Sequence, residues 1–192
     1  KLPQGSYDGV SSLTISFSGP GEIYYTTDCS TPSRNSKRYT GPLTISKTTV
    51  FRVAAYETGA SRSEVVNFTY LVNEGDTLET VSIVTDPYNL WDYNYGIYAD
   101  GPYISDEYPY QGANYWRNWE RAASVALFEE DGSVAFYETC GLKIFGGYSR
   151  SNTKKSFACM FRGKYGTSSL DYPLFGDKGI DSYQSFVLRA GG

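Results

Sequence analysis

The sequence predicts a mainly β protein: a small Ig-like β-sandwich followed by a mostly antiparallel sheet with short helices. Three observations point there. Apolar and polar residues alternate with a period of two, turns rich in Gly and Pro recur at short intervals, and no long stretch sustains a helical period. Nineteen Tyr, ten Phe and three Trp bring aromatics to 17%, a composition that favours strands and wet recognition surfaces, because tyrosine and tryptophan rings carry a polar handle.

The elements follow in order. Leu13, Ile15 and Phe17 alternate with Thr14 and Ser16, and Ile23 and Tyr25 with Tyr24 and Thr26. Residues 50–56 and 65–70 continue the pattern, while Gly19-Pro20-Gly21, Ser30-Thr31-Pro32 and Gly41-Pro42 interrupt it as turns. Strands at this spacing close as a sandwich over residues 1–73. The polar stretch Asn73-Glu74-Gly75-Asp76-Thr77 marks a boundary, where the charge balance also changes sign: residues 1–73 carry seven basic and five acidic groups, residues 74–192 ten and sixteen. The second module, 79–192, opens with a strand over 81–85. Asp86 then caps, and Pro87 starts, a short helical turn through Trp91. Eight tyrosines between Tyr88 and Tyr115, amid Gly, Pro, Asn and Asp, form an aromatic region expected to pack on a sheet. Strands resume at 124–129, turn at Asp131-Gly132, and continue over 134–145, where Val134, Phe136, Cys140, Leu142 and Ile144 share one parity. Further strands are expected at 156–162 and 182–189.

Composition also excludes chemistry. The chain contains no His, which removes Ser-His-Asp and Cys-His nucleophile pairs, His-ligated zinc and imidazole proton transfer. Cys29, Cys140 and Cys159 have no C-x-x-C spacing and read as small apolar residues. A net charge of -4 gives no electrostatic reason to expect nucleic-acid binding, and no apolar run approaches a membrane span. Asp86, Asp92, Asp100, Asp106, Glu107, Glu120, Asp171, Asp177 and Asp181 are scattered without a metal-loop spacing. Asn67-Phe68-Thr69 matches a glycosylation sequon inside a strand pattern.

The densest functional signal is residues 143–164, which hold six of the ten basic residues of the second module around Gly146-Gly147-Tyr148-Ser149-Arg150-Ser151-Asn152-Thr153-Lys154-Lys155. Glycines let backbone amides approach an anion and Arg or Lys neutralise it, so a bend of this composition suits a phosphate; a solvated hairpin tip collects the same residue types. No P-loop spacing occurs.

Two resemblances attach to these residues. Ile23-Tyr24-Tyr25-Thr26-Thr27-Asp28-Cys29-Ser30-Thr31-Pro32 with Tyr39-Thr40-Gly41-Pro42-Leu43-Thr44-Ile45 resembles the chitobiase/β-hexosaminidase C-terminal β-sandwich repeat, with Cys29 where that repeat has Gly. It implies an accessory module of secreted or cell-surface proteins, with possible glycan contact. The second module resembles the amino-terminal part of the CotH family of spore-coat-type atypical kinases. The likeness runs through the ordered blocks Asn114-Tyr115-Trp116, Trp119-Glu120-Arg121, Gly146-Gly147 with Ser149-Arg150, Lys154-Lys155-Ser156-Phe157, Asp171-Tyr172-Pro173-Leu174-Phe175 and Leu188-Arg189-Ala190-Gly191-Gly192. That resemblance implies a kinase-like fold and ATP-dependent phosphorylation of protein with Mg or Mn. It makes Gly146, Gly147, Arg150, Lys154 and Lys155 the nucleotide-facing bend, with Lys155 or its neighbour Lys154 on the phosphates. The family's catalytic and metal-binding aspartates are expected beyond Leu188-Arg189-Ala190-Gly191-Gly192, so these 192 residues are expected to be inactive alone. Protein substrates or cell-envelope and coat proteins are the implied partners. The alternative is a non-catalytic adhesion or carbohydrate-associated surface protein.

Overall fold

The computed structural model describes residues 2–75, 78–176 and 179–191; Asp76 and Thr77 of the expected boundary, Asp177 and the terminal Gly192 lie outside the described residues. The chain forms two compact units, Lys1–Val84 with Ala126–Ala135, and Thr85–Val125 with Phe136–Gly192. The mainly β expectation holds, with several antiparallel sheets and few short helices.

In the first unit, β1 (Gly5–Tyr7), β2 (Leu13–Ile15), β3 (Glu22–Thr26), β4 (Lys37–Arg38), β5 (Leu43–Ile45), β6 (Thr49–Tyr56) and β7 (Val66–Val72) make a five-stranded sheet, order β1-β7-β6-β3-β4, and a β2-β5 pair. Alternation does what the pattern requires: Leu13 and Ile15 turn inward with Thr14 exposed between them. They join Phe17, Phe51, Val53, Tyr70 and Val72 in one core, where Phe17 meets Phe51 edge-on at 5.3 Å. Tyr70 is fully buried, and its hydroxyl donates to the Leu2 carbonyl at 3.2 Å; burial, then the neighbouring Tyr7, pushes its pKa up to about 12. Cys29 has φ 63, the left-handed conformation that glycine adopts most easily, at the position where the repeat it resembles carries Gly. Asn67 of the sequon is buried in β7, and its Oδ1 accepts from Arg52 Nε at 3.2 Å, so the side chain is engaged in the sheet and closed to a glycan.

The second sheet, order β14-β11-β10-β9-β8, is built from β8 (Thr80–Thr85), β9 (Arg121–Phe128), β10 (Val134–Phe145), β11 (Ser156–Met160) and β14 (Ser185–Leu188). Between β8 and β9, α1 (Pro87–Trp91) starts as expected, with the Asp86 carboxylate accepting from Tyr88 N at 3.0 Å. Phe136, Cys140, Leu142 and Ile144 of β10 are buried on one face with Cys159, Phe161 and Phe186. Cys140 and Cys159 behave as core residues, and their mutual hydrogen bond and burial push the Cys140 thiol well above the ordinary range. The single strand expected over 182–189 is instead two. β12 (Leu170–Asp171) pairs with β13 (Ser182–Tyr183), and the chain then crosses to β14 at Gln184, whose carbonyl accepts from Phe161 N at 2.9 Å. The aromatic region differs from expectation in part. Ile97, Asn114 and Tyr115 are buried, but Tyr88, Trp91, Tyr93, Tyr103 and Tyr108 are each more than half exposed. What orders this irregular segment is a side chain: Asn114 Nδ2 donates to the carbonyls of Tyr93 and Gly96, both at 3.0 Å.

Candidate functional site

β10 and β11 pair antiparallel from Gly141↔Met160 to Phe145↔Ser156, and the ten residues between them are the bend singled out by the sequence. Gly146 leaves β10 with φ 127, and a Cβ there would meet Ser149 Oγ at 2.3 Å; both conformation and space call for glycine. At Gly147 the surroundings are open, with nothing within 4 Å of an added Cβ. Residues Tyr148–Ser151 then form one 3-10 turn.

Two cations of the bend, the half-buried Arg150 and the buried Lys155, point inward. Arg150 Nε donates to the Gly146 carbonyl at 2.6 Å and its Nη1 to the carbonyl of Tyr115 at 3.2 Å, so this guanidinium ties the bend to the segment before β9. Lys155 is 8% exposed. Its ammonium donates to the Arg150 and Asn152 carbonyls at 2.6 and 2.8 Å and sits 3.9 Å from the centre of the Tyr115 ring and 5.2 Å from that of Tyr98. Tyr98 closes the cage: its hydroxyl donates to Thr153 O at 2.7 Å and accepts from Lys155 N at 2.9 Å. Burial pulls the Lys155 ammonium below the usual lysine range, opposed by the charge of Asp100. Lys154, by contrast, is exposed. Of the five residues expected to face a nucleotide, Gly147 and Lys154 present an open surface, while Gly146, Arg150 and Lys155 hold the bend in shape.

A second charged constellation, which the sequence did not join into one site, lies on the other face of β10. Thr139, Gly141 and Lys143 share the parity opposite to the buried residues. Thr139 Oγ1 donates to the Tyr165 carbonyl, and Lys143 Nζ donates to Asn118 Oδ1. At Gly141 a Cβ would meet the Tyr165 ring at 2.4 Å and Glu120 Oε2 at 3.0 Å, so the missing side chain is what lets both approach. Glu120 is the hub. Its Oε1 accepts from Arg162 Nη2 at 2.9 Å, both oxygens accept from Arg162 Nε at 3.1 Å, and Oε2 takes Tyr165 OH at 3.3 Å and lies 3.4 Å from Lys164 Nζ. Burial raises the Glu120 pKa, but the hydrogen bonds and charges of Arg162 and then Lys164 outweigh it and leave the carboxyl below the usual range. Next to it Arg121 is buried, donating to the Tyr95 and Glu120 carbonyls and stacked 3.5 Å from the Tyr95 ring centre. These residues come from four separated segments, at 95, 118–121, 139–143 and 162–165, and only their meeting in the folded chain reveals them.

Among the described residues no three acidic or cysteine side chains converge to ligate a metal ion. Nor, among the described residues, is any helix long and apolar enough to cross a membrane.

Comparison with known proteins adds one finding. A family model described as Fn3 associated matches residues 12–70. No curated protein and no solved structure matches the chain. The match supports a β-sandwich domain of the fibronectin-associated kind over those residues and lends no support to the kinase resemblance.

Proposed function

We propose that the chain is part of a secreted or cell-surface CotH-like atypical protein kinase, in which a chitobiase-type accessory sandwich precedes the nucleotide-facing portion of the catalytic domain. The observation that carries this reading is the internal construction of the 146–155 bend. The residues of the Gly-Gly, Ser-Arg and Lys-Lys-Ser-Phe blocks act as a unit: Gly146 sets the exit from β10, Arg150 bonds the Gly146 carbonyl, and Lys155 bonds the Arg150 carbonyl. A bend fixed from within keeps its outer surface, Gly147 and Lys154, in place without help from a ligand, and such preorganisation favours binding of a charged group. When bound, ATP with Mg or Mn supplies the transferable phosphoryl group and much of the neutralising charge. The chain's own contribution is the open backbone at Gly147 and the ammonium of Lys154.

The test is ATP binding by the protein and transfer of labelled phosphate from ATP to protein acceptors. Lys154→Ala should weaken ATP binding at least threefold. Unchanged binding and transfer would remove the nucleotide role of the bend.

The adhesion reading has one observation of its own: Tyr88 and Trp91 of α1 and Tyr93, Tyr103 and Tyr108 of the loops after it expose more than half of their surface. Binding of the whole chain to a glycan array, lost on Trp91→Ala, would favour it over the kinase.

A further inference from the structure

An open depression of about 560 Å³ in the second unit is lined by Asn118, Trp119, Glu120, Arg121, Arg162 and Lys164, with Lys143 bonded to Asn118 at its edge. Four cations meet one carboxylate there. The oxygens of Glu120 are already taken up by Arg162, Tyr165 and Lys164. Lys143 donates to a neutral amide oxygen, and Arg121 to main-chain carbonyls. Among the described residues neither Lys143 nor Arg121 has an acidic side chain within ion-pair distance. The depression therefore holds a surplus of three positive charges inside a chain whose net charge is -4. Like charges gathered this way repel, and an entering anion relieves the repulsion.

We propose that this depression is a binding site for a phosphate-type oxyanion. Lys164, its side chain 61% exposed, is a mobile point charge, and Lys143, anchored on Asn118, is a second. Arg162, held in orientation by Glu120, offers the guanidinium face that the carboxylate leaves uncovered. Asn118 supplies a neutral amide, and Trp119, stacked 4.8 Å from the Arg121 guanidinium, is the apolar wall for the group that carries the phosphate. Three surplus charges match a pyrophosphate or a phosphate monoester better than a single carboxylate. The site shares no residue with the 146–155 bend and does not rest on the kinase reading.

The experiment is calorimetric titration of the 192-residue protein with pyrophosphate, O-phosphoserine and sulfate at low ionic strength, where screening is weakest. Pyrophosphate is expected to bind, and a heat with O-phosphoserine marks a phosphorylated side chain as a source of the same group. The double variant Lys143→Glu with Lys164→Glu should weaken pyrophosphate binding at least tenfold while still unfolding in one cooperative transition, at a lower temperature because the Lys164–Glu120 attraction is lost. Glu120→Gln, which removes the competing internal anion but keeps an acceptor for Arg162, should tighten it severalfold. Absence of pyrophosphate binding, binding that survives the double charge reversal, or binding to sulfate alone overturns the inference. Loss of pyrophosphate binding on Lys154→Glu instead places the anion at the bend, which overturns the inference and leaves the nucleotide reading standing. ATP binding indifferent to Lys154, with pyrophosphate binding lost in the double variant, has the opposite meaning.

Discussion

The bend over 146–155 and the depression around Glu120 lie on the same β-sheet and are both rich in Arg and Lys, yet they use those residues in opposite ways. In the bend the half-buried Arg150 and the buried Lys155 are consumed by main-chain carbonyls of the bend itself and of the segment before β9. Around Glu120 the cations outnumber the acid and two of them remain substantially exposed. The difference teaches that a cluster of basic residues in a sequence has two physical outcomes, decided by acceptors the sequence does not display. A carbonyl cage turns a lysine into a structural part; a shortage of acceptors leaves it available to a ligand.

The largest expected effect breaks or sustains that contrast directly. Lys155→Ala removes two charge-assisted hydrogen bonds and the contact with Tyr115, and should cost about 2 to 3 kcal/mol in urea unfolding. Its exposed neighbour gives the control, since Lys154→Ala should change stability by less than about 0.5 kcal/mol. Equal effects at the two positions would mean that the carbonyl cage contributes nothing and that Lys155 is as available as Lys154.

The next effect tests the other side. Gly141→Ala puts a methyl group into the Tyr165 ring and against Glu120 and should destabilise by about 1 to 3 kcal/mol, an overpacking cost. Because it displaces the hub carboxylate, it should also alter the proposed oxyanion binding, which Lys155→Ala should not do unless the sheet itself loosens. A Gly141→Ala protein with parental stability would show that the approach of Tyr165 to β10 is not needed.

Much of the fold was legible for local reasons. Asp86-Pro87 is a helix start whose cap forms within three residues, and the parity of Phe136, Cys140, Leu142 and Ile144 reports burial along a single strand. The break at Gln184 was not legible, because residues 182–188 keep strand-like composition while changing partner from β12 to β11. For the bend, the sequence marked the right residues; the inward turn of Arg150 and Lys155 depends on carbonyls of Tyr115, Gly146 and Asn152, and every residue type carries the same carbonyl. Arg162 and Lys164 fell within the basic-rich segment 143–164 and Glu120 within the Trp119-Glu120-Arg121 block, but nothing in the sequence joined them, since their meeting requires β10 to present a side-chain-free position at Gly141.

The smallest effect sharpens the comparison through pH. Glu120 holds its proton less tightly in the folded protein than in the unfolded chain, because Arg162 and Lys164 favour the carboxylate more than burial disfavours it. The stability this confers is complete above the ordinary carboxylate range and is lost as pH falls through the lower folded value, since the unfolded chain then binds the proton more readily. The difference in urea midpoint between the parent and Glu120→Gln should therefore be present at neutral pH and shrink toward zero on acidification. It should also shrink with added salt, because Arg162 and Lys164 face water and their attraction to the carboxylate is screened. The Lys155 cage gives the contrasting response. Its hydrogen-bond acceptors are uncharged carbonyls that do not titrate, so the stability gap between the parent and Lys155→Ala should change less over the same acid range and with salt, through the charge of Asp100 alone. A gap at Lys155 that closed in acid along with the one at Glu120 would mean that the two clusters share a carboxylate-dependent support, and the division between a structural and a ligand-ready use of cations would not hold.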